Sequence, residues 1–319
     1  MPEVSVIIPT YSRPHLLTRA VESARAASCS PEIIVVDDAS EGGAIGEVCR
    51  RLSGVRYIRL ERNQRVAGAR NVGLLASTCE YVSFLDDDDQ RLPGTLDLQV
   101  EALKRSPQAG FCCGTLLFGD EEGRPTGRQA APRRLAGGDA FWRLLQWDYF
   151  TLPSAVVVRR AALLSVGLFR SALACIDDWD MWVRLAELYP VVSVEEPVGI
   201  YRHPTPASGQ GSSDMIRDMM LALRHQGELL KLPRAAAAAP RERRAARRAL
   251  RRRLADVLFY RAALWGPRGH YRYAARHALA GLRINPARSL RPFVYRQLYV
   301  AIRDRRVSPD TSGRGRRPE

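Results

Sequence analysis

Four consecutive aspartates, Asp86-Asp87-Asp88-Asp89, follow directly on the apolar pair Phe84-Leu85, and a second acidic pair, Asp37-Asp38, closes the apolar run Ile33–Val36. Carboxylates crowded at one edge repel one another and hold each other's protons until a cation neutralises them. A hard divalent ion, Mg²⁺ or Mn²⁺, held by a few carboxylates together with substrate phosphates, accounts for such a set. The alternative is a solvated turn or helix start, where aspartate serves as a cap. Two acidic sets at two strand ends weigh against it. Phosphate loops of other kinds are missing: no G-x-G-x-x-G follows the first apolar run, and no G-x-x-x-x-G-K-[ST] occurs. The six cysteines (29, 49, 79, 112, 113 and 175) contain no C-x-x-C pair. Zinc-ribbon and thioredoxin chemistry are therefore unsupported, and the thiols are expected to be reduced and mostly core fillers.

The elements that must carry these acids alternate two hydrophobic periods. Val4–Ile8 and Ile33–Val36 read as short buried strands, and Tyr81–Leu85 as another; Val55–Leu60 alternates like a half-covered strand. Between them lie helical patterns after Pro14, over about 44–52 and over 66–76. Strand–helix–strand at this pitch predicts an α/β, Rossmann-like, mostly parallel sheet with helices on both faces. Ligands bind such sheets at the carboxyl ends of the strands, where Pro9–Arg13, Asp37–Ser40 and Asp86–Asp89 stand. Further strands are expected at 110–118, 155–158 and 191–194, a polar loop over 119–138, an amphipathic helix over 178–188 and a loop over 203–213.

Val4-Ser5-Val6-Ile7-Ile8-Pro9-Thr10-Tyr11, Ile34–Ser40, Ala69-Arg70-Asn71-Val72-Gly73 and Phe84–Asp89 resemble, in order and spacing over residues 3–205, the family 2 glycosyltransferases. The resemblance implies the GT-A fold, a nucleotide-sugar donor, a divalent metal and inversion at the transferred sugar. It implies that Thr10, Tyr11 and Arg13 touch nucleobase and phosphates, and that Asp38, with Asp37 beside it, reads a uracil-type base. Arg70 would lie near the diphosphate, Asp86 would face ribose and metal, and Asp88 would bind the metal. Asp87 falls at the family's variable position, and Asp89 is placed to support the ion from behind. Asp177-Asp178-Trp179 resembles the family's acidic segment at a helix start, which makes Asp178 the base for the acceptor hydroxyl. The plain alternative for Asp178 is a helix cap. His203, in Tyr201-Arg202-His203, matches a C-terminal metal ligand of some members but sits one residue out of register, so a lone surface histidine is the competing reading. Trp179 and Trp182 are expected to pack their helix. Trp142, Trp147 and Tyr149 fall where acceptors bind in this fold, although aromatic rings serve core packing equally well.

Composition places the remaining constraints. The chain has 319 residues, 46% hydrophobic and 26% charged, which suits a globular protein able to close a large core. No run reaches the ~18 apolar residues that a membrane-spanning helix needs. MPEVSVIIPT has an acid at Glu3 and no basic stretch before its apolar run, unlike a secretory leader, so a cytoplasmic chain is expected. The net charge of +15 is unevenly placed: residues 1–230 hold 25 Lys/Arg against 29 Asp/Glu, and residues 231–319 hold 24 against 5. The organisation expected is a GT-A domain over 1–230, a basic α-helical appendage over 231–305 and a disordered tail over 306–319. Leu250, Leu254, Val257, Leu258 and Leu264 form an apolar stripe, and further helices are expected near 270–283 and 289–303. The arginines are a solvated helix face, or else they meet an anionic membrane at its inner, cytoplasmic side. Nucleic-acid binding has no motif in its favour.

The function this implies is transfer of a sugar from a nucleotide-diphosphate donor, a UDP-sugar first of all, to an acceptor hydroxyl of a glycan, polysaccharide or lipid-linked intermediate. The competing readings are a non-catalytic nucleotide-sugar-binding or scaffold protein of the same fold and a sugar-phosphate nucleotidyltransferase. The last would carry a Gly-rich basic loop after the first strand, where Pro9-Thr10-Tyr11-Ser12-Arg13 stands instead.

Overall fold

The computed structural model describes residues 2–132, 135–148, 151–173, 175–202, 214–265 and 269–288. His203, Tyr149, the helix expected over 289–303 and the tail after it lie outside the described residues. The chain divides into two compact units, residues 1–214 with 224–238, and residues 215–223 with 239–319.

The first unit opens with β1 (Val4–Thr10), α1 (Pro14–Ala26), β2 (Glu32–Asp37), α2 (Ala44–Arg51), β3 (Val55–Arg59), α3 (Arg65–Ala76) and β4 (Tyr81–Phe84). Every residue of β1 and β4 is buried, as is β2 after Glu32, which is why these strands read as unbroken apolar runs. β1 pairs in parallel with β2 on one side and β4 on the other, and β2 with β3. The chain thus works outward to β3 and returns across β1 to β4, so the order reverses between β1 and β4. The carboxyl ends of those two strands border the crevice that such a reversal leaves. Gly73 lets α3 lie close to the sheet: a Cβ there would stand 2.3 Å from Ile7 Cγ2.

There follow β5 (Gln90–Arg91), α4 (Thr95–Arg105), β6 (Phe111–Gly119), β7 (Pro125–Ala130), α5 (Phe141–Leu145), β8 (Val156–Arg159), α6 (Arg160–Val166), α7 (Asp177–Leu188), β9 (Val191–Arg202), the part of α8 (Met215–Leu229) from residue 224 on, and α9 (Pro233–Ala237), residues 215–223 of α8 belonging to the second unit. β8 runs antiparallel to β4 and continues one mixed sheet in the order β8-β6-β9-β5, with β7 beside β6. The sheet is parallel through β3-β2-β1-β4 and mixed beyond.

Two stretches differ from expectation. Residues 119–138, expected as a loop, contain β7, whose side chains are exposed except for the half-buried Ala130. Backbone pairing with β6 forms it, after a turn at Asp120–Arg124 in which Gly123 takes φ +77°. β9 runs to Arg202 instead of ending at Val194, because its register on β6 shifts around Thr115 and so accommodates Pro197. β5, α4, α5, α6, α8 and α9 add to the expected elements. Cys49, Cys79, Cys112 and Cys113 are buried, Cys29 and Cys175 are exposed, and all six are free thiols.

The second unit contains α10 (Pro240–Trp265) and α11 (Tyr271–Ile284). Leu250, Leu254 and Leu258 are buried as expected, with Ala255 beside them, whereas Val257 is exposed. Gly281 of α11 faces the Phe259 ring, which a Cβ would approach to 3.1 Å. Among the described residues no helix is long and apolar enough to cross a membrane.

Candidate active site

The loop after β4 divides its four acids by direction. Asp86 and Asp88 keep 31% and 16% of their side-chain surface, whereas Asp87 and Asp89 are sealed. The sealed pair ties the loop down. Asp87 accepts from Thr10 Oγ1 at 2.7 Å and pairs with Arg13 Nη2 at 2.5 Å, which fixes the loop to the end of β1. Asp89 accepts from Ser154 Oγ and from the Arg202 backbone amide at 3.0 Å, which fixes it to the start of β8 and the end of β9. The outward pair meets arginines: Arg13 Nη1 donates to Asp88 at 2.9 Å and Arg70 Nη2 to Asp86 at 2.8 Å. Burial pushes the Asp87 carboxyl up to about 7 although Arg13 pulls against it. Burial raises Asp88 and Asp89 as well.

Arg70, projecting from the middle of α3, joins this loop to α7. Its Nη1 donates to Asp177 at 2.9 Å, and its guanidinium lies over the Phe169 ring. Burial works against its charge, but Asp86 and Asp177 outweigh burial and hold it protonated. Asp178 stands beside Asp177, half-buried and within the first turn of α7, with Ile176 at the cap. Its Oδ1 accepts the Trp179 amide at 2.7 Å. Burial, reinforced by the charge of Asp177, pushes Asp178 up to about 7, and Arg70 recovers part of that shift. Such a carboxyl exchanges a proton near neutrality. Asp180, two residues on, is the opposite case. It is fully buried, but Arg170 (3.0 Å), Arg184 (2.7 Å) and His225 (2.7 Å) surround it. Those bonds overcome burial and hold it below the usual carboxylate range.

At the end of β2 the two acids part. The Asp37 carboxylate is buried and engaged by the Ser40 amide (2.9 Å), Tyr57 Oη (2.8 Å) and Arg59 Nε (3.8 Å). These contacts tie Asp37 to the turn after β2. Asp38 accepts the Gln64 amide at 2.6 Å, and its own amide donates to Thr10 O at 2.9 Å, which fastens β2 to β1 beside the crevice. Thr10 is buried against Asp87, while Tyr11 is 48% exposed. Backbone strain collects here too. Ser12 (φ +54°), Ala39 (+65°), Arg65 (+62°) and Cys175 (+69°) all lie in the left-handed region, on the loops after β1 and β2, at the first residue of α3 and before α7. Non-glycine residues hold that conformation at a cost of about 1–3 kcal/mol each, and such strain gathers at functional sites.

Thr10, Arg13, Arg70, Asp86, Asp88 and Asp178 are therefore linked by direct bonds or a shared field, with Asp38 attached through Thr10. Sequence reasoning missed the bond of Asp177 to Arg70 and the anchoring by Asp87, Asp89 and Ser154. Trp179 packs as expected, stacked on Trp147 with Nε1 on Leu144 O, and Trp182 is fully buried. As a donor set, Asp86 and Asp88 offer hard oxygens, partly exposed and too few in cations, which fits Mg²⁺ or Mn²⁺. Among the described residues no three acidic, histidine or cysteine side chains converge to enclose an ion.

The model of "Glycosyl transferase family 2" matches residues 5–170, more than half of the chain. The chain belongs to glycosyl transferase family 2. It is 25% identical over 211 residues to the uncharacterized glycosyltransferase YwdF of Bacillus subtilis, a match covering 66% of this chain and 78% of that protein. It is 38% identical over 106 residues to the GalNAc(5)-diNAcBac-PP-undecaprenol β-1,3-glucosyltransferase of Campylobacter jejuni, covering 32% and 34%. Matches to relatives from Rickettsia bellii and Haemophilus influenzae span 26% and 62% of those proteins, less than two thirds of each. Among solved structures, it aligns with TarS 1–349 of S. aureus in complex with UDP-GlcNAc at 17% identity, TM-score 0.53, over 93% of this chain and 92% of that one. It also aligns with the mannosyltransferase PcManGT of Pyrobaculum calidifontis in complex with GDP-Man and Mn²⁺ at 18% identity, TM-score 0.59, over 95% and 88%. This family 2 glycosyltransferase thus shares the GT-A-like fold of both.

Proposed function

We propose that this glycosyltransferase moves a sugar from a nucleoside-diphosphate donor, a UDP-sugar first of all, to an acceptor hydroxyl with inversion. The observation that carries the reading is Asp178, a carboxyl held near neutrality at the first turn of α7 and linked through Asp177 and Arg70 to Asp86. In this reading Asp178 takes the proton of the acceptor hydroxyl as its oxygen bonds to the anomeric carbon and the bond to the diphosphate breaks. One base without a carboxylate nucleophile implies a single displacement, hence inversion. Asp86 and Asp88 would hold Mg²⁺ or Mn²⁺, with His203 a further candidate ligand; the ion, when bound, offsets charge on the departing diphosphate. In this reading Arg13 and Arg70 would lie near the same phosphates, and Thr10, Tyr11, Asp37 and Asp38 near the nucleoside.

In the same reading residues 1–230 form the transferase part and residues 231–305 the appendage. The name of the Campylobacter relative supports a lipid-linked acceptor. The excess of arginine after residue 231 supports a cytoplasmic enzyme lying on the inner, anionic face of a membrane. Thermal unfolding with UDP, Mn²⁺ or both tests the site: stabilisation is expected only with both together. Release of nucleotide from a panel of nucleotide sugars identifies the donor. Absence of stabilisation by any nucleoside diphosphate with metal sinks the assignment.

A further inference from the structure

We infer that the outward face of α11 is an insertion surface for an anionic lipid bilayer. The helix has two dissimilar long faces. One is buried: His277, Ala280, Gly281 and Ile284 pack inward, with Gly281 against the Phe259 ring of α10. Tyr273, stacked on His277 with ring centroids 3.9 Å apart and edge-on to Trp265, fixes the start of the helix. The other face should then be polar, as in an ordinary surface helix. Instead Tyr271, Ala275, Leu279 and Leu282, spaced i, i+4, i+8 and i+11, share one exposed stripe. Tyr271 keeps 72% of its surface and Leu279 57%. One residue further round, Arg272, Arg276 and Arg283 form a parallel exposed row, and no acid occurs anywhere on α11.

An apolar stripe bordered by arginines and presented away from its own unit is the pattern of a helix lying in a membrane interface. Leucines enter the acyl boundary, the tyrosine sits at headgroup depth and the guanidinium groups meet lipid phosphates. Charge complementarity selects the occupant. Residues 231–319 hold 24 basic against 5 acidic side chains, so a second copy would bring the same excess charge to the interface. A nucleic acid would satisfy the arginines but leave Leu279 and Leu282 in water. The inference rests on the membrane reading above and adds to it the face and residues that make contact.

The test uses the full chain with vesicles of phosphatidylcholine alone or mixed with phosphatidylglycerol. The wild type is expected to sediment with the anionic vesicles and not with the neutral ones. Each arginine near the surface contributes roughly fivefold to partitioning at low salt. The variant Tyr271→Ser/Leu279→Ser/Leu282→Ser changes only exposed side chains, so its melting temperature should be kept while its partitioning falls at least about tenfold. In a separate Tyr271→Trp variant the emission added at position 271 should shift to the blue on anionic vesicles. Wild-type binding that the triple variant retains in full overturns the assigned face and leaves the membrane reading standing. No sedimentation of the wild type with either vesicle overturns both. Binding to an unstructured RNA without binding to vesicles overturns both in favour of nucleic acid.

Discussion

Asp87 after β4 and Asp180 of α7 are both sealed and behave in opposite ways. Asp87 is sealed against Thr10 and Arg13 and still rises to about 7, because Arg13 is shared with Asp88 and faces three acids of the same loop. Asp180 is equally sealed but has Arg170, Arg184 and His225 to itself, and it falls below the ordinary range. The balance between the burial penalty and the hydrogen bonds and cations that oppose it decides the sign. The interior of α7 is electrically complete, which suits a scaffold. The β4 loop together with Asp177 and Asp178 is short of positive charge, which suits a site that receives a cation with its substrate.

The widest separation between the two regions is expected from the adjacent acids of α7. Asp178→Asn keeps the shape and removes the base, so turnover should fall by about 10²–10⁴-fold while nucleotide affinity stays within about twofold. Stopped transfer assays beside calorimetric titration of UDP with Mn²⁺ measure both, and near-full turnover would place the base elsewhere. Asp180→Ala should act on stability instead. It strands Arg184 and His225 in the interior, and urea unfolding should record a loss of about 3–5 kcal/mol. Asp87→Asn is the sharpening control: the amide oxygen still accepts from Arg13, the amide N–H₂ can donate to the Thr10 hydroxyl in place of the lost bond, and one repelling charge is removed. Its stability at pH 8 should therefore lie within about 1 kcal/mol of the wild type. Equal losses for Asp87→Asn and Asp180→Ala would refute the contrast.

Arg70 bridges the two regions, and Gly73, one turn further along α3, sets how close that helix lies to β1. A Cβ at this position would be driven to 2.3 Å from Ile7 Cγ2, deep in the sheet. Gly73→Ala should cost about 1–3 kcal/mol by overpacking and lower activity in parallel, since α3 carries Arg70 away from Asp86 and Asp177. Unchanged activity in a destabilised Gly73→Ala protein would show that the bridge tolerates displacement.

Much of this arrangement is legible in one dimension where a single period dominates. β1, β2 and β4 are buried on both sides, and their apolar runs fix the strand ends at which the acids stand. β7 gave no signal because all but one of its side chains are exposed and backbone pairing alone makes it a strand. Pro197 hid the length of β9, since a bulged register admits a proline that a regular ladder rejects. Within the site, residue type located the acids without sorting them. Asp37 and Asp38 are adjacent and chemically identical, and what distinguishes Asp37 is the local Ser40 amide together with Tyr57 and Arg59 of β3, which no local pattern pairs with it. The pairing of Asp180 with His225 spans 45 residues and two helices, beyond the reach of any local pattern.

The finest separation is one of pH. The general base must be unprotonated to act, and the Asp178 carboxyl is held up to about 7 by burial and by Asp177. Turnover at saturating donor should therefore be nearly flat above pH 8. It should fall about fivefold from well above pH 7 to near pH 6.4, and then about tenfold for each further unit of acid. Asp180 moves the other way: its proton affinity is lowered in the folded chain, so its contribution to stability is present above the unfolded value of about 3.9 and fades only as the pH drops below it. Between pH 5 and 7 the enzyme should lose rate through Asp178 while Asp180 remains ionised. A rate profile whose midpoint lies near the ordinary carboxylate value would mean that Asp178 is not short of cations in the working enzyme. The difference between the two acids of α7 would then not extend to the enzyme at work.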